Sequence, residues 1–315
     1  MDLYAKILEN SKDIDWTNDG ISNQTTLWFP VAQNHPRYQW VQKYCLSVKP
    51  LDKCYFSEDT LVVADIALEK DIKEYLLTRV EFFESTEDGL KTLSEASKIL
   101  QVWKNKNYNK IIAIGGGIII NAATYFAEQL NVDLILVPTT IIAMSDASIG
   151  GKVRMNDVKE GKYIKHAYKS YWEPSEIILD PRFLNTITDD WVRIGLAEII
   201  KHAMYQSSFL KDFLLSEDFD PFKNKESLLR AILWTADLKR VCLEVDPEEL
   251  ESGSYKILRA AHDLSDILEE KSNLKLPHGK AVEEAMVDDL YKDPIKYRDL
   301  ITLYNKLSIA YTTVL

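Results

Sequence analysis

The chain has 315 residues, and 46% of them are hydrophobic, which is enough to build real cores in one large domain or two. Its formal net charge of −11 leaves no basic surplus to neutralise a phosphate backbone, so we expect no nucleic-acid partner. Residues 1–15 lack an apolar signal core, and no segment has the length of a membrane span. We therefore expect neither secretion nor a membrane partner.

The three cysteines are Cys45, Cys54 and Cys242. Their number is odd and their spacing is unlike that of a metal site, which indicates reduced thiols in a cytoplasmic protein. We expect them to serve as ordinary packing residues.

The first regular pattern in chain order begins near residue 59, because residues 1–58 show only weak periodicity. Thr60–Ala64 and Arg79–Phe83 have the composition of strands, and Glu87–Trp103 has the spacing of an amphipathic helix. Asp65 ends the first strand, where an acid can hydrogen-bond the ribose of a nucleotide. An acid at this place is also commonly a turn residue or a helix cap.

A glycine-rich turn lies at the centre of the next stretch. The apolar run Ile111–Ile114 ends in Gly115–Gly117 and is followed by a helical pattern over Asn121–Gln129. A second apolar run, Val132–Val137, then ends in Pro-Thr-Thr. Two strands joined by one helix form a right-handed parallel unit, with both loops at the carboxyl edge where open sheets bind ligands. The glycines either admit a pyrophosphate or only allow tight packing of strand against helix.

The second half of the chain changes period. A polar connection over residues 153–172 leads to a strand at Ile177–Asp180, and no strand pattern follows. Helical patterns cover Trp191–Gln206, Glu226–Val245, Tyr255–Ser272, Gly279–Tyr291 and Tyr297–Leu307. We predict an α/β, Rossmann-like domain over residues 1–182 and an all-α domain over residues 183–315, packed directly and enclosing a cleft.

Three separated residues of the helical half suit a metal ion. Glu198, His262 and His278 offer one carboxylate and two imidazoles, a set that binds a divalent ion such as Zn²⁺ and leaves a position open for substrate. Each residue also has an ordinary interpretation. The acid could be solvated on its helix, and the histidines could be a hydrogen-bonded core residue and a helix-start residue.

Four lysines lie in apolar or glycine-containing settings: Lys152, Lys162, Lys201 and Lys239. An ammonium group in such a place can bind a phosphate or a developing oxyanion. Lys201 follows Glu198 by one helical turn and shares its face. The alternative for each lysine is an exposed side chain or a simple ion pair.

Several stretches taken together resemble the 3-dehydroquinate synthase family, one of the sugar-phosphate cyclases. They are IIAIGGG, VPTTIIAMSDASIGGK, GLAEIIKHA, ADLKRVCLEVDPEE, the His262 segment and LPHGKAV, which occur in the order of that family across most of residues 60–290. The resemblance implies an N-terminal domain that binds NAD and a helical domain that binds Zn²⁺, Co²⁺ or another divalent metal. It also implies a sugar or sugar-phosphate substrate and a homodimer.

The resemblance also implies roles for single residues. It makes Glu198, His262 and His278 the metal ligands. The residues that it places near the dinucleotide are Gly115, Gly116, Gly117, Thr139, Thr140 and Lys162. Asp65 and Asn121 are further candidates for this contact. The residues that it implies face the substrate are Asp146, Lys152, Lys201 and Lys239. The implied reaction is a transient oxidation by NAD⁺, elimination of phosphate, re-reduction and an intramolecular aldol closure, in which the cofactor is not consumed.

Several departures from the family pattern affect the implied chemistry. The proton-shuttling histidine expected four residues after His262 is Asp266, so a carboxylate becomes the candidate catalytic group there. The aspartate of the glycine turn is Asn121, and the glutamate that follows the HG pair is Lys280. No closing segment with a further phosphate-binding lysine is recognisable after His278.

Other departures affect substrate recognition. Leu130 stands where relatives have a phosphate-binding arginine, and Tyr163 replaces an asparagine. Tyr255 lies near the expected position of a carboxylate-binding arginine, which Lys256 or Arg259 could replace locally. Each lost charge-assisted contact weakens binding by about 1.5–3 kcal/mol, so the usual phosphorylated seven-carbon substrate is not expected.

We therefore predict a carbon–oxygen lyase of the cyclase type with a rebuilt substrate site. One alternative is an NAD-dependent polyol or alcohol dehydrogenase of the iron-containing type, which shares the two-domain plan. Glu198 favours the cyclase, because those dehydrogenases usually carry aspartate there. The other alternative is a non-catalytic descendant, which Asn121 and Asp266 keep open.

Overall fold

The structure is a computed structural model that describes residues 2–17, 20–22, 24–52, 56–73, 80–87 and 89–311. Cys54 and Arg79, the first residue of a predicted strand, lie outside the described residues. The chain divides into two compact units, Ser22–Phe183 and a second unit made of Met1–Ile21 with Leu184–Leu315. No helix among the described residues combines the length and the apolar character needed to cross a membrane.

The first unit is built on a seven-stranded sheet. Its strands in chain order are β1 (Thr26–Pro30), β2 (Lys43–Val48), β3 (Thr60–Asp65), β4 (Val80–Phe83), β5 (Lys110–Gly115), β6 (Asp133–Pro138) and, after a separate hairpin of β7 (Lys152–Lys159) and β8 (Lys162–Tyr171), β9 (Glu176–Leu179). The spatial order is β1-β2-β9-β6-β5-β3-β4, with β1 antiparallel and the other pairings parallel. Its helices are α2 (Glu69–Lys73), α3 (Leu93–Trp103) and α4 (Gly117–Leu130).

The predicted parallel unit around the glycine turn is confirmed. Strands β5 and β6 pair in parallel, with Ile114 opposite Val137, and α4 connects them. Ile111 and Ile114 are fully buried. A strand that is covered on both faces needs such a continuous apolar run. Because β5 and β6 are parallel, the loops that follow them lie at one edge of the sheet.

Two local predictions in this unit are corrected. Helix α3 begins at Leu93 rather than Glu87, because the Thr92 hydroxyl accepts a hydrogen bond from the Glu95 amide and caps the helix. The polar connection over residues 153–172 is the β7–β8 hairpin. The charged residues on its outer face interrupt the alternation of apolar and polar residues that would predict a strand. The Tyr168 hydroxyl joins the hairpin to α4 by donating a hydrogen bond to Glu128 at 3.0 Å.

The second unit consists of helices. They are α1 (Leu3–Ser11), α5 (Asp189–Tyr205), α6 (Ser208–Leu215), α7 (Lys225–Val245), α8 (Tyr255–Leu258), α9 (His262–Lys271), α10 (His278–Leu290) and α11 (Pro294–Leu307). The single helix predicted over Tyr255–Ser272 is two helices, because Ala261 adopts a left-handed φ of 61° that a continuing helix does not allow. Helix α6 was not predicted.

Residues 1–21 belong to the helical unit, which corrects the predicted division of the chain. Ile7 of α1 is buried in a cluster with Val241 on α7. Beyond the helix, the Trp16 indole N–H donates to Asp237 at 3.0 Å. An amphipathic helix is stable only against a partner for its apolar stripe, and for α1 that partner is α7.

Candidate functional site

The glycine turn lies between β5 and α4, as predicted. Gly116 precedes the first turn of α4, which no side chain caps. A Cβ atom on Gly116 would lie 3.0 Å from Cγ2 of Thr140, so the backbone here packs closely on the next loop. The packing interpretation of the glycines therefore holds. An uncapped helix start also suits an anion, and a bound pyrophosphate is compatible with the same geometry.

The loop after β6 lies at the same sheet edge. The amide of Thr139 donates to the Gly115 carbonyl at 3.0 Å, which ties the loop to the glycine turn. Thr140 then starts a short π-helical turn over Ala143–Ala147 that contains the half-buried Asp146. The structure thus brings Thr139, Thr140 and Asp146 to the glycine turn, where the family resemblance had placed the first two beside the dinucleotide.

Asn121 holds α4 against the hairpin. Its Nδ2 donates to the Gly117 carbonyl at 3.0 Å, and its Oδ1 accepts from the Arg154 amide at 3.1 Å. An ionised aspartate could accept from Arg154 but could not donate to a carbonyl. Asn121 therefore satisfies two backbone groups that the aspartate of the family pattern could not serve together.

Asp65 ends β3, also at the carboxyl edge. One carboxylate oxygen accepts from the Ala67 amide at 3.0 Å, and the other accepts from the Ser85 hydroxyl at 2.5 Å. The capping interpretation is thus realised in the structure. A ribose contact by Asp65 stays a prediction.

The two lysines of the hairpin are far apart. Lys152 begins β7 opposite Tyr171 and is half-buried, whereas Lys162 begins β8 opposite Lys159 and is exposed beside the hairpin turn. A strand rises about 3.3 Å per residue, so roughly 20 Å of hairpin separates them. The structure does not bring Lys162 next to Lys152, and its contact with a dinucleotide stays a prediction.

In the helical unit, three elements converge on one carboxylate oxygen. Glu198 is fully buried on α5, His262 begins α9, and His278 begins α10. Nε2 of His262 lies 3.6 Å from Glu198 Oε1, and Nε2 of His278 lies 3.5 Å from the same atom. Within the described part of the chain, Glu198 Oε1 is buried and has no hydrogen-bond donor.

These distances fit a bound metal ion. Ligand atoms at about 2.1 Å from a tetrahedral Zn²⁺ lie about 3.4 Å apart, close to the two separations measured here. A buried carboxylate oxygen without a donor is costly unless a cation compensates it. One oxygen and two nitrogens would fill three positions of the ion and leave a fourth for a ligand. The residues present therefore fit the divalent metal.

The protonation states favour the same ion. Burial, and after it the nearby Lys201 ammonium, lower the pKa of His262 to about 3, and the Glu198 carboxylate offsets this only in part. Burial raises the pKa of Glu198, but Lys201 and the two imidazoles outweigh that effect and hold the pKa well below its usual range. A neutral imidazole and an ionised carboxylate are the forms that bind metals.

Hydrogen bonds to the other ring nitrogens orient both imidazoles. Nδ1 of His262 donates to the Ala260 carbonyl at 2.9 Å, and Nδ1 of His278 donates to the Glu269 carboxylate at 2.8 Å. This arrangement directs each Nε2 towards Glu198. Glu269 did not emerge from sequence reasoning. Its available signal was its place seven residues after His262, on the same face of α9.

Two lysines are buried in the helical unit, and Lys201 contacts this centre. Lys201 is paired with Glu198 Oε2 and donates to the Leu258 carbonyl at 3.1 Å. Lys239 on α7 is equally buried. Both ammonium groups act on Cys242, although burial is the stronger effect and raises the pKa of that thiol to about 12. The pairing of Lys201 with Glu198 agrees with the helical spacing predicted from the sequence.

Asp266 is engaged by an arginine. Nη2 of Arg259 donates to Asp266 at 2.9 Å and to Asp263 at 3.1 Å. The ammonium of Lys256 lies over the ring of Tyr4, 5.1 Å from its centre. Both residues that could replace the carboxylate-binding arginine near Tyr255 thus have protein partners.

Comparison with known proteins is consistent with this arrangement. The family model for the 3-dehydroquinate synthase N-terminal region matches residues 82–193, and the model for the C-terminal region matches residues 195–292. The 3-dehydroquinate synthase of Sulfurimonas denitrificans is 30% identical over 78% of this chain and 71% of that protein. That of Sulfurisphaera tokodaii is 28% identical over 69% of this chain, and the match spans only 62% of the relative.

A solved structure shares the fold. The 2-epi-5-epi-valiolone synthase from Streptomyces hygroscopicus subsp. jinggangensis, with NAD⁺ and Zn²⁺ bound, superimposes with a TM-score of 0.71. It is 20% identical and covers 85% of this chain and 81% of its own. Given the two family models and the Sulfurimonas relative, the chain belongs to the 3-dehydroquinate synthase family.

Proposed function

We propose that this protein is an NAD- and divalent-metal-dependent carbon–oxygen lyase of the sugar-phosphate cyclase type. One observation carries the proposal. The buried Glu198 Oε1, which has no hydrogen-bond donor in the described part of the chain, lies within 3.6 Å of two imidazole nitrogens. This three-ligand set would hold Zn²⁺ or a similar ion with one position left for a substrate oxygen.

The bound groups would supply a Lewis acid at a substrate hydroxyl and a reversible hydride acceptor. Glu198, His262 and His278 would hold the metal. The glycine turn and the start of α4 would hold the pyrophosphate of NAD, with Thr139 and Thr140 beside it. A homodimer belongs to the same proposal, on the ground of family membership alone.

The residues of the chain have separate tasks in this proposal. Lys201 holds Glu198 Oε2, so that Oε1 faces the two imidazoles. Asp146, Lys152 and Lys239 would bind the substrate and its developing negative charge. Asp266 differs from the histidine it replaces, because its ion pair with Arg259 favours the ionised carboxylate. A proton shuttle at neutral pH would then need another group.

The substrate is proposed to differ from that of most relatives. Arg259 is held by two aspartates and Lys256 lies over Tyr4, so neither is positioned as a replacement for the arginine that binds a substrate carboxylate. Leu130 offers no cation where the family pattern has an arginine, and Tyr163 offers no amide where the pattern has an asparagine. We infer a polyhydroxylated sugar phosphate that lacks a carboxylate at this end.

The test begins with the protein as purified. Native mass spectrometry and metal analysis should find NAD and one divalent ion per chain. A panel of sugar phosphates is then screened for metal-dependent phosphate release without net NADH. Glu198→Ala should lose the ion and the activity, whereas Glu270→Ala, at an exposed position, should keep both.

Either of two results would contradict this proposal and favour another function. Net accumulation of NADH with a polyol would indicate the dehydrogenase. Absence of stoichiometric metal, together with a Glu198→Ala variant that behaves like the wild type, would indicate the non-catalytic descendant.

A further inference from the structure

A buried acid–histidine pair lies beneath the turn that leads into Lys152. Nδ1 of His35 bonds to Oε1 of Glu173, and the two side chains are 9% and 1% exposed. His35 belongs to the segment between β1 and β2, for which no role emerged from the sequence. Glu173 lies two residues after the end of β8. The pair is remote from the metal ligands in sequence and belongs to the sheet unit.

The first link to the turn is a direct backbone contact. Gly151 has a φ of 63°, and a Cβ atom there would lie 2.9 Å from Cα of Glu173 and 2.8 Å from its Cγ. The amide of Trp172 donates to the Gly151 carbonyl at 2.7 Å. The turn therefore rests on the residue that His35 holds.

The second link comes from Tyr44 on β2 and from Arg37, which shares the β1–β2 connection with His35. The buried hydroxyl of Tyr44 on β2 accepts a hydrogen bond from the Gly150 amide at 2.7 Å. The guanidinium of Arg37 donates to the Glu173 carbonyl and, through Nη2, to Asp133 at 2.9 Å. The turn and Glu173 are thus both fixed to the sheet.

The third link reaches the strand partner of Lys152. The imidazole of His35 stacks on the ring of Tyr171, with 3.9 Å between ring centres. Tyr171 is the cross-strand partner of Lys152 at the base of the hairpin. His35 therefore contacts the pairing partner of Lys152, while Glu173 contacts the residue before it.

We propose that His35 and Glu173 are positioning residues for Lys152. Glu173 of this pair packs against the Gly150–Gly151 turn, and His35 stacks on Tyr171. Together these contacts set the direction in which β7 begins. The functional consequence rests on the proposed function, because it takes Lys152 to bind the substrate. The mechanical consequence, an ordered turn, does not depend on that assignment.

The mechanical part is tested by hydrogen exchange in His35→Ala and Glu173→Ala. Amides of residues 150–152 and 172 should exchange at least tenfold faster, while amides of β5 and β6 keep their wild-type rates. Glu173→Gln should restore most of the protection, because its amide oxygen can still accept from His35. Glu58→Gln, at an exposed position, is the matched control.

Unchanged exchange in both alanine variants would overturn the proposal. Loosening that extends equally through β5 and β6 would also overturn it, because that result indicates general destabilisation. If Glu173→Ala does not fold, His35→Ala decides the question alone.

The functional part is tested by a double-mutant cycle. Glu173→Ala should lower kcat/KM about tenfold in the wild type and less than twofold in a Lys152→Ala background, with the affinity for NAD unchanged in both. An equal tenfold loss in both backgrounds would contradict the positioning role. Absence of any activity in the wild type would instead refute the proposed function and leave the exchange result standing.

Discussion

The carboxylate of Glu269 bonds to Nδ1 of His278 at 2.8 Å, although α9 and α10 are separate helices. Glu269 is only 2% exposed, so its carboxylate is shielded from water. Such a partner fixes the ring orientation and raises the basicity of a metal-binding imidazole. His278, one of the three proposed metal ligands, is thus oriented by a residue outside the proposed ligand set.

Replacing Glu269 by glutamine should weaken metal binding by about 10- to 100-fold, because the neutral amide supports the imidazole less strongly. Titration calorimetry with Zn²⁺ on metal-stripped protein measures the change. Glu270→Gln provides the control, since Glu270 is the exposed neighbour on the same helix. Equal affinity in the two variants would show that Glu269 does not support the metal site.

Replacing Lys201 by methionine should destabilise metal-free protein by roughly 3–5 kcal/mol, because it leaves the buried Glu198 carboxylate without its ammonium partner. A bound divalent ion compensates the same charge, so added metal should raise the melting temperature more in the variant than in the wild type. Thermal melts with and without Zn²⁺ measure both effects. Lys98→Met, which breaks an exposed pair with Glu95, should leave both quantities near wild type.

Replacing Gly151 by alanine should destabilise the protein more than replacing Gly161. Both glycines have a left-handed φ, 63° and 74°, so both variants carry about 1 kcal/mol of backbone strain. Only at Gly151 does the new methyl group meet backbone, that of Glu173, which adds about 1–3 kcal/mol. Denaturant unfolding should resolve the difference, and equal losses would rule out the close contact.

The stability of the protein should fall between mildly acidic and neutral pH because of Glu283. Burial raises the pKa of this carboxyl from 4.5 to about 7, and Lys280 only partly offsets the effect. Between these values the folded chain binds a proton that the unfolded chain has lost, so its contribution is full below pH 4.5 and is lost as pH rises to about 7. The loss amounts to roughly 3 kcal/mol.

Glu283→Gln should remove this dependence and unfold at higher denaturant concentration than the wild type at pH 8, with little difference at pH 5. Glu284→Gln is the neighbouring control. Identical slopes of stability against pH in Glu283→Gln and the wild type would contradict the assignment to Glu283.

The elements predicted most accurately are those with a continuous apolar run or a regular apolar stripe. Strands β5 and β6 and helix α7 were predicted to within about two residues, because full burial imposes an uninterrupted apolar run or stripe on them. The β7–β8 hairpin was missed, since its exposed face carries lysines and glutamates that interrupt any alternation. The break between α8 and α9 was missed because Ala261 is a good helix former that tertiary packing holds in a left-handed conformation.

In the candidate site, likewise, some features could be predicted from the sequence and others could not. Glu198, His262 and His278 were selected from the sequence as a set of metal-binding residue types, and family resemblance joined them. The sequence did not indicate that Arg259 would be held by Asp266, or that Asn121 would join α4 to β7. These pairings depend on which faces of two helices, or of a helix and a hairpin, meet.

The sequence by itself determined the parallel α/β unit, the helical second half and the residue types of the proposed metal centre, because burial and glycine turns leave local patterns. Only the tertiary structure decided that Glu269 supports His278, that His35 and Glu173 lie beneath the turn to Lys152, and that residues 1–21 pack with the helices. The reason is physical. Contacts between residues distant in the chain are set by how whole elements pack, and no local period records that packing.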